Sequence, residues 1–226
     1  MSTPLKLVVF DCDGTLIDSQ HMIVAAMGRA FETHNLAPLP RARVLSIVGL
    51  SLDEAIAQLL PERDPTLIAN VRDAYKQAFF DLRVDPGLTE PLFEGAREVL
   101  SALSGRDDVV MGVATGKSDK GLNHVLGAHD LATFFVTLQT ADHAPSKPHP
   151  AMLERAMAAA GTAPADTVIV GDTSFDMHMA ANAGAHAIGV AWGYHDTGVL
   201  EEAGAHRVLS RLDDLEPTLD RLWEIR

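Results

Sequence analysis

Four short runs of the chain are apolar on both faces: residues 5–10 (LKLVVF), 109–114 (VVMGVA), 167–171 (TVIVG) and 186–192 (HAIGVAW). None shows the period-two alternation of a strand with one wet face, so each is predicted to be a strand covered on both sides, as in a parallel sheet. Residues 134–138 (FFVTL) make a fifth candidate, and 206–210 (HRVLS) a weaker edge strand. Between these runs apolar residues recur at helical spacing over 94–104, 151–161 and 174–184, with glycine near several C-terminal ends. Strands alternating with helices predict an α/β fold, a doubly wound parallel sheet with a Rossmann-like core.

One interval breaks the alternation. Residues 19–80 carry helical patterning and no strand signal. QHMIVAAMGRAFETHN (20–35) is amphipathic, residues 51–60 open on Ser51 with Glu54 at capping-box spacing, and 64–80 open on Asp64 as N-cap with Pro65 at the first helical position. A crossover needs one helix, so residues 18–84 are expected to form an inserted helical cap, with 1–17 and 85–226 as the core. VDPGLTEP (84–91) reads as the return linker. A bundle on two tethers can rock over whatever lies at the strand ends.

In an open parallel sheet, ligands bind beyond the carboxyl ends of the strands. The first run ends there in FDCDGT, placing Asp11 and Asp13 one residue apart, where each raises the other's cost of ionising. The 109–114 run leads into Thr115 and Gly116, the 167–171 run into Asp172 with Asp176 a turn later, and SKPHP places Lys147 between them. Taken singly, Thr115-Gly116 fits a loop or a helix cap, and Asp172 fits a helix N-cap. Lys147 fits less easily, because it sits just before a helix start, where the macrodipole disfavours a cation. The chain also has only five lysines, which weakens surface decoration as an account. Three ionised aspartates beside a phosphate dianion would need compensation, and one Mg2+ with Lys147 would supply it through oxygen ligands suited to a hard cation.

Bulk properties narrow the partners. A formal net charge of −13 argues against a general hold on nucleic acid or an anionic membrane, and no run approaches the roughly 20 apolar residues of a membrane span. A single cysteine, Cys12, cannot form an intrachain disulfide and points to a reducing compartment. With too short an apolar run at the N-terminus for a signal peptide, a cytoplasmic protein is expected. A monomer is the expected state.

The ordered set DCDGT with Leu16 and Asp18, then Thr115, Lys147, Gly171-Asp172 and Asp176, resembles the four motifs of the haloacid dehalogenase-like hydrolases across nearly the whole chain. The nearest likeness is to the phosphoglycolate phosphatase-like branch, with a helical cap after the first motif. That resemblance implies a Mg2+-dependent phosphatase acting on a small phosphorylated metabolite, with phosphoglycolate one candidate. It implies Asp11 as nucleophile, and Asp13 as the acid that protonates the leaving group and then the base that activates water. Thr115 and the Gly116 amide would hold phosphoryl oxygens, and Lys147 would neutralise nucleophile and phosphate. Asp11, the Asp13 carbonyl and Asp172 would bind Mg2+, while Asp176 would orient Lys147 or a metal-bound water. Asp13 and Asp172 together favour phosphate over halide chemistry. The cap's single lysine, Lys76, lies inside a helix and is poorly placed for a Schiff base.

Specificity is expected from the cap, with 46–52 (SIVGLSL) the candidate loop: Gly49 would permit a tight turn, and Ser51 would face substrate or simply cap a helix. The loop holds no charged residue before Asp53, which weakens a sugar-phosphate mutase or another doubly anionic substrate. Arg29, Arg41 and Arg43 could reach a substrate anion, although a solvated helix face is the commoner place for such arginines. His149, His178 and His195 are read as structural or simply exposed, and Cys12 and Trp192 as packing residues. The rivals are a receiver-like phosphoaspartate signalling module and, within the family, a sugar-phosphate mutase or a pyrophosphatase. Receivers are roughly half this length and lack the helical insert.

Overall fold

A computed structural model describes residues 4–85 and 87–224. The chain begins with strand β1 (Lys6–Phe10), followed by four helices without a strand between them: α1 (Gln20–Thr33), α2 (Arg41–Leu45), α3 (Leu52–Leu59) and α4 (Pro65–Leu82). Then come α5 (Ala96–Ser104), β2 (Val109–Thr115), α6 (Asp119–Ala128), β3 (Phe135–Thr140), α7 (Ala151–Ala160) and β4 (Thr167–Gly171). The chain closes with α8 (Ser174–Ala183), β5 (His186–Val190), α9 (Thr197–Glu202), β6 (Arg207–Leu209) and α10 (Leu215–Glu224). The six strands form one parallel sheet in the order β3-β2-β1-β4-β5-β6.

Successive side chains of a strand point to opposite faces, and here both faces are dry. Val8, Phe10 and Cys12 join Val113, Val170 and Ile188 in a layer covered by α5, α6 and α10. Leu7 and Val9 join Ile169 and Ala187 in the opposite layer, under α7, α8 and α9. Full burial of a Val, Leu or Phe side chain contributes about 1.5–3 kcal/mol relative to exposure. The uninterrupted apolar runs are the sequence trace of this double cover.

Phe10 is level with Val113 on one side and with Val170 on the other, so the residues after β1, at the end of β2 and after β4 emerge side by side. The chain also changes direction across the sheet here, running outward from β1 to β2 and β3 and then returning to β4. That is the topological switch point, where the outward-splaying connections leave a crevice.

The four helices after β1 have an apolar centre of their own, with Ile23, Met27, Phe31, Val44, Ile56, Leu59 and Val71 buried together. Phe175 and Tyr194 of the sheet portion pack against it. The segments entering and leaving the four-helix unit run side by side: the Asp18 N–H donates to the Pro91 carbonyl at 2.8 Å, the Phe93 N–H to that of Leu16 at 3.0 Å, and Ile17 bridges Leu92 antiparallel.

Several local expectations need correction. The fifth strand starts one residue late and runs on to Thr140; as an edge strand it has one wet face, with Val136 59% exposed, so its full length left a mixed pattern. Helix α2 was not anticipated, because its five residues lie between a proline and the apolar loop. Ser51 and Glu54 do not form a capping box, since the Ser51 side chain makes no cap bond. Instead the Ser51 N–H donates to the Ser146 hydroxyl at 2.8 Å, tying the loop to the sheet portion. Asp64 does cap α4, accepting from the Thr66 N–H at 2.9 Å.

Candidate active site

The first predicted carboxylate, Asp11, follows the last residue of β1 and is 1% exposed. Its Oδ1 accepts from the Cys12 N–H at 2.7 Å and lies 3.0 Å from Lys147 Nζ; its Oδ2 is buried with no hydrogen-bond partner. Burial pushes the Asp11 pKa up to about 7, against the pull of Lys147 and with further upward push from Asp176 and Asp13. Burial alone would lower the Lys147 pKa, but the Asp11 and Asp176 carboxylates outweigh it and the ammonium is held charged.

Asp176 keeps Lys147 in place with a 2.6 Å contact through Oδ1. Its Oδ2 accepts from the Thr173 N–H at 3.2 Å and the Thr173 hydroxyl at 2.7 Å, so both of its oxygens are engaged at the start of α8. Asp172 is fully buried and caps no helix, that position being Thr173. Its Oδ1 accepts from the Thr15 hydroxyl at 3.0 Å and its Oδ2 from the Tyr194 N–H at 2.8 Å. Burial, then Asp11 and Asp176, hold its pKa well above the ordinary carboxylate range. Gly14, at φ +84°, lies so close that a Cβ there would overlap the Asp172 carboxylate. One oxygen each of Asp11, Asp172 and Asp176 falls within 4.8 Å of the others. Three dry carboxylates, one with an oxygen that no donor reaches, fit a hard divalent cation.

Asp13 stands apart from this cluster. Its Oδ1 is 2.9 Å from Lys117 Nζ and also accepts from the Ser19 hydroxyl. Lys117 is shared with Glu90, 3.2 Å away. Burial would lower the Lys117 pKa, but Asp13 and Glu90 raise it. Ser19 lies on the segment entering the four-helix unit and Glu90 on the one returning, so both crossings converge on Asp13.

Asp11, Asp13, Thr115 and Gly116 line a cavity of about 620 Å³ between the sheet and the four-helix unit. Lys147, Asp172 and Asp176 lie behind Asp11, outside the lining. Thr115 Oγ1 accepts from the Lys117 N–H at 3.2 Å, which leaves its own proton to donate. The loop after α2 supplies Ile47, Val48, Gly49, Leu50 and Ser51 to the wall. It rests directly on Gly116, where a Cβ would overlap the Leu50 carbonyl and come within 2.8 Å of Gly49 O. Gly116→Ala is therefore expected to lift this loop while the sheet stays folded. The expected result is a KM raised about tenfold with a melting temperature close to the parent, since ångström-scale misplacement is costly to catalysis but cheap to the fold. Steady-state kinetics and a melting curve check it.

The predicted residues thus meet at one rim. The sequence reading missed Lys117, Glu90, Ser19 and Thr15, as well as the Tyr194 amide. The scarcity of lysine that singled out Lys147 applies equally to Lys117. Glu90 gave no signal, because its place depends on how the two crossings pair, and a main-chain donor such as Tyr194 N–H leaves no trace in side-chain patterns.

The cap cations also differ from expectation. Arg41 bonds Gln20 and Arg43 the Gln58 carbonyl at 2.5 Å, and neither they nor Arg29 line the cavity. The cations that the four-helix unit gives the cavity are Arg72 and Lys76 on α4 and Arg83 just after it. The apolar loop was therefore an incomplete guide to cap charge. The structural readings of His195, Trp192 and Cys12 hold. His195 accepts from the Ser174 N–H at 3.1 Å and packs edge-on to Phe175, with burial lowering its pKa. The Trp192 indole donates to the Thr15 carbonyl at 3.1 Å, and the Cys12 thiol is buried. No described helix is long and apolar enough to cross a membrane.

A doubly wound parallel sheet with an acidic cluster and a buried lysine at its switch point, under a helical insertion, defines a class of α/β hydrolase. The model of the haloacid dehalogenase-like hydrolases matches residues 8–190, and the chain belongs to that family. It is 38% identical to the probable phosphatase IndB of Dickeya dadantii, over 87% of this chain and 86% of that one. Similarity extends to the pyrophosphatase PpaX of Bacillus mycoides (27%, covering 96% and 98%) and the phosphoglycolate phosphatase of Vibrio vulnificus (29%, covering 84% and 86%). Among solved structures, a hydrolase from Pseudomonas syringae superposes with a TM-score of 0.84 at 28% identity, covering 96% of this chain and 98% of that one.

Proposed function

We propose that the protein is a Mg2+-dependent phosphatase that hydrolyses a small phosphate monoester through a phospho-Asp11 intermediate. The observation that carries this reading is the Asp11 carboxylate itself. It is dry, faces the cavity and is clamped by Lys147 at 3.0 Å, with one oxygen free of donors. Relatives named as phosphatases support the same chemistry.

In this mechanism an Asp11 oxygen attacks phosphorus as the bond to the leaving oxygen breaks. Asp13 gives that oxygen its proton, and the alcohol departs. Asp13, now a carboxylate, takes a proton from a water that attacks the phosphoryl group, and the phosphorus–Asp11 bond breaks to release phosphate. Thr115 and the Gly116 amide hold the phosphoryl oxygens, and Lys147 offsets charge on Asp11. Lys117 and Ser19 hold Asp13 in line. Asp11, the Asp13 carbonyl and Asp172 would hold the cation, which when bound neutralises charge developing on the phosphoryl oxygens. Asp176, with both oxygens engaged, orients Lys147. Residues 18–84 act as a cap whose movement admits substrate.

p-Nitrophenyl phosphate is expected to be turned over many times per protein molecule with Mg2+, and activity is expected to vanish with excess EDTA and return when Mg2+ is restored. Stoichiometric phosphorylation without repeated release would instead fit a signalling module, and no turnover across a panel of small monoesters would sink the proposal.

A further inference from the structure

The cavity is lined by five cations against the four carboxylates of Asp11, Asp13, Asp53 and Asp142, more cations than hydrolysis of one phosphate uses. In a chain of net charge −13 with five lysines, Lys76, Lys117 and Lys120 line it together with Arg72 and Arg83. Two of these cations are committed: Lys117 to Asp13 and Glu90, and Arg72 to Asp53 and Asp73. Lys76, Lys120 and Arg83 form no ion pair with a described residue.

Arg83 is the most informative of the three. It ends α4, where a cation usually serves the last helical carbonyls. Its side chain bonds none of them; Nε is buried without a hydrogen-bond partner, and the guanidinium lies 5.3 Å from the centre of the Phe79 ring. Lys117 Nζ lies over the same ring at the same distance, 5.3 Å, and is itself 2.9 Å from Asp13. Lys120 caps the neighbouring Phe80 ring at 5.3 Å. An aromatic wall of Tyr75, Phe79 and Phe80 thus links Asp13 to a pair of uncommitted cations, and Ile23, Met27, Ile47 and Leu50 contribute apolar surface to the same cavity. A phosphate with two or three carbons leaves most of about 620 Å³ unfilled.

Building on the phosphatase reading, we propose that the substrate is a phosphate monoester with a ring-bearing or extended apolar body ending in a second anionic group, which Arg83 receives with help from Lys120. The body packs on Phe79, and the far anion supplies the hydrogen-bond acceptor that Arg83 lacks.

Non-hydrolysable phosphonates test this independently of turnover. In calorimetry with Mg2+, 4-phosphonobenzoate is expected to bind about tenfold more tightly than its neutral isostere 4-phosphonobenzamide, the size of one charge-assisted contact. 1,4-Benzenediphosphonate, compared in the same way, tells whether a carboxylate or a second phosphate is the better fit. Arg83→Gln should reduce the preference to near unity, Arg83→Lys should keep part of it, and Lys120→Gln, at an exposed position, should lower it partially. Equal affinities in the parent, no binding of either acid, or a preference that survives in Arg83→Gln would each overturn the proposal. If the preference holds but neither 4-carboxyphenyl phosphate nor any ester of the monoester panel is hydrolysed, the second anion site stands and the phosphatase reading falls.

Discussion

Asp11→Asn is expected to leave a folded protein whose turnover of p-nitrophenyl phosphate is at least about 10⁴-fold slower, because an amide cannot serve as the attacking group or carry the phosphoryl. The substitution keeps the shape of the side chain, and its carbonyl can still accept from the Cys12 N–H and Lys147 as Oδ1 does now. The amide nitrogen takes the place of Oδ2, which no donor reaches, so no two donors are forced together. The carboxylate it replaces has a pKa raised to about 7, a sign that ionisation there opposes folding. A group of that kind contributes stability below its unfolded pKa near 4, and the contribution is lost as pH rises through 7. The metal-free variant should therefore melt no lower than the parent above pH 7. A large loss of activity together with a large loss of melting temperature would contradict this account.

Lys147→Met should behave in the opposite way, damaging fold and activity together. Lys147 is 1% exposed and stands between Asp11 at 3.0 Å and Asp176 at 2.6 Å. Removing the ammonium leaves two carboxylates in a dry site without their cation, a change that typically costs about 3–5 kcal/mol. For a chain of this length that corresponds to a drop of roughly 6–20 °C in melting temperature. Without its cation the Asp11 pKa rises further, so the stability deficit of the metal-free variant should widen from pH 5 to pH 8. Mg2+ should restore part of it. Melting curves at the two pH values, with and without Mg2+, check this; a deficit that shrinks as pH rises would contradict it.

Much of this organisation was legible in the residues. β1, β2, β4 and β5 announce themselves because both faces are largely buried, so apolar residues fill the positions between their ends and no alternation obscures the run. Once the sheet is parallel, strand ends collect at one rim, and Asp11, Thr115 and Asp172 are brought together by topology with little help from detail. What stayed hidden depends on docking. Glu90 reaches Lys117 because the two crossings pair at Asp18–Pro91, and Arg83 faces the cavity because the end of α4 meets the start of α6, where Lys120 lies over Phe80. Neither placement is encoded in local patterning. Ser51 shows the converse: it does sit at the N-cap of α3, yet its N–H, which Glu54 would accept in a capping box, donates to the Ser146 hydroxyl.

The pairing of the two crossings has a mechanical consequence. Any rotation of the four-helix unit must pivot beside the bonds joining Leu16, Asp18, Pro91 and Phe93. Displacement grows with distance from an axis, so groups close to it barely shift while remote ones sweep through ångströms. Asp13 bridges Ile17 and so sits near that axis, while the loop resting on Gly116 lies farther from it. In the proposed mechanism this lets the mouth widen and narrow to admit substrate while Asp13 keeps its place beside Asp11.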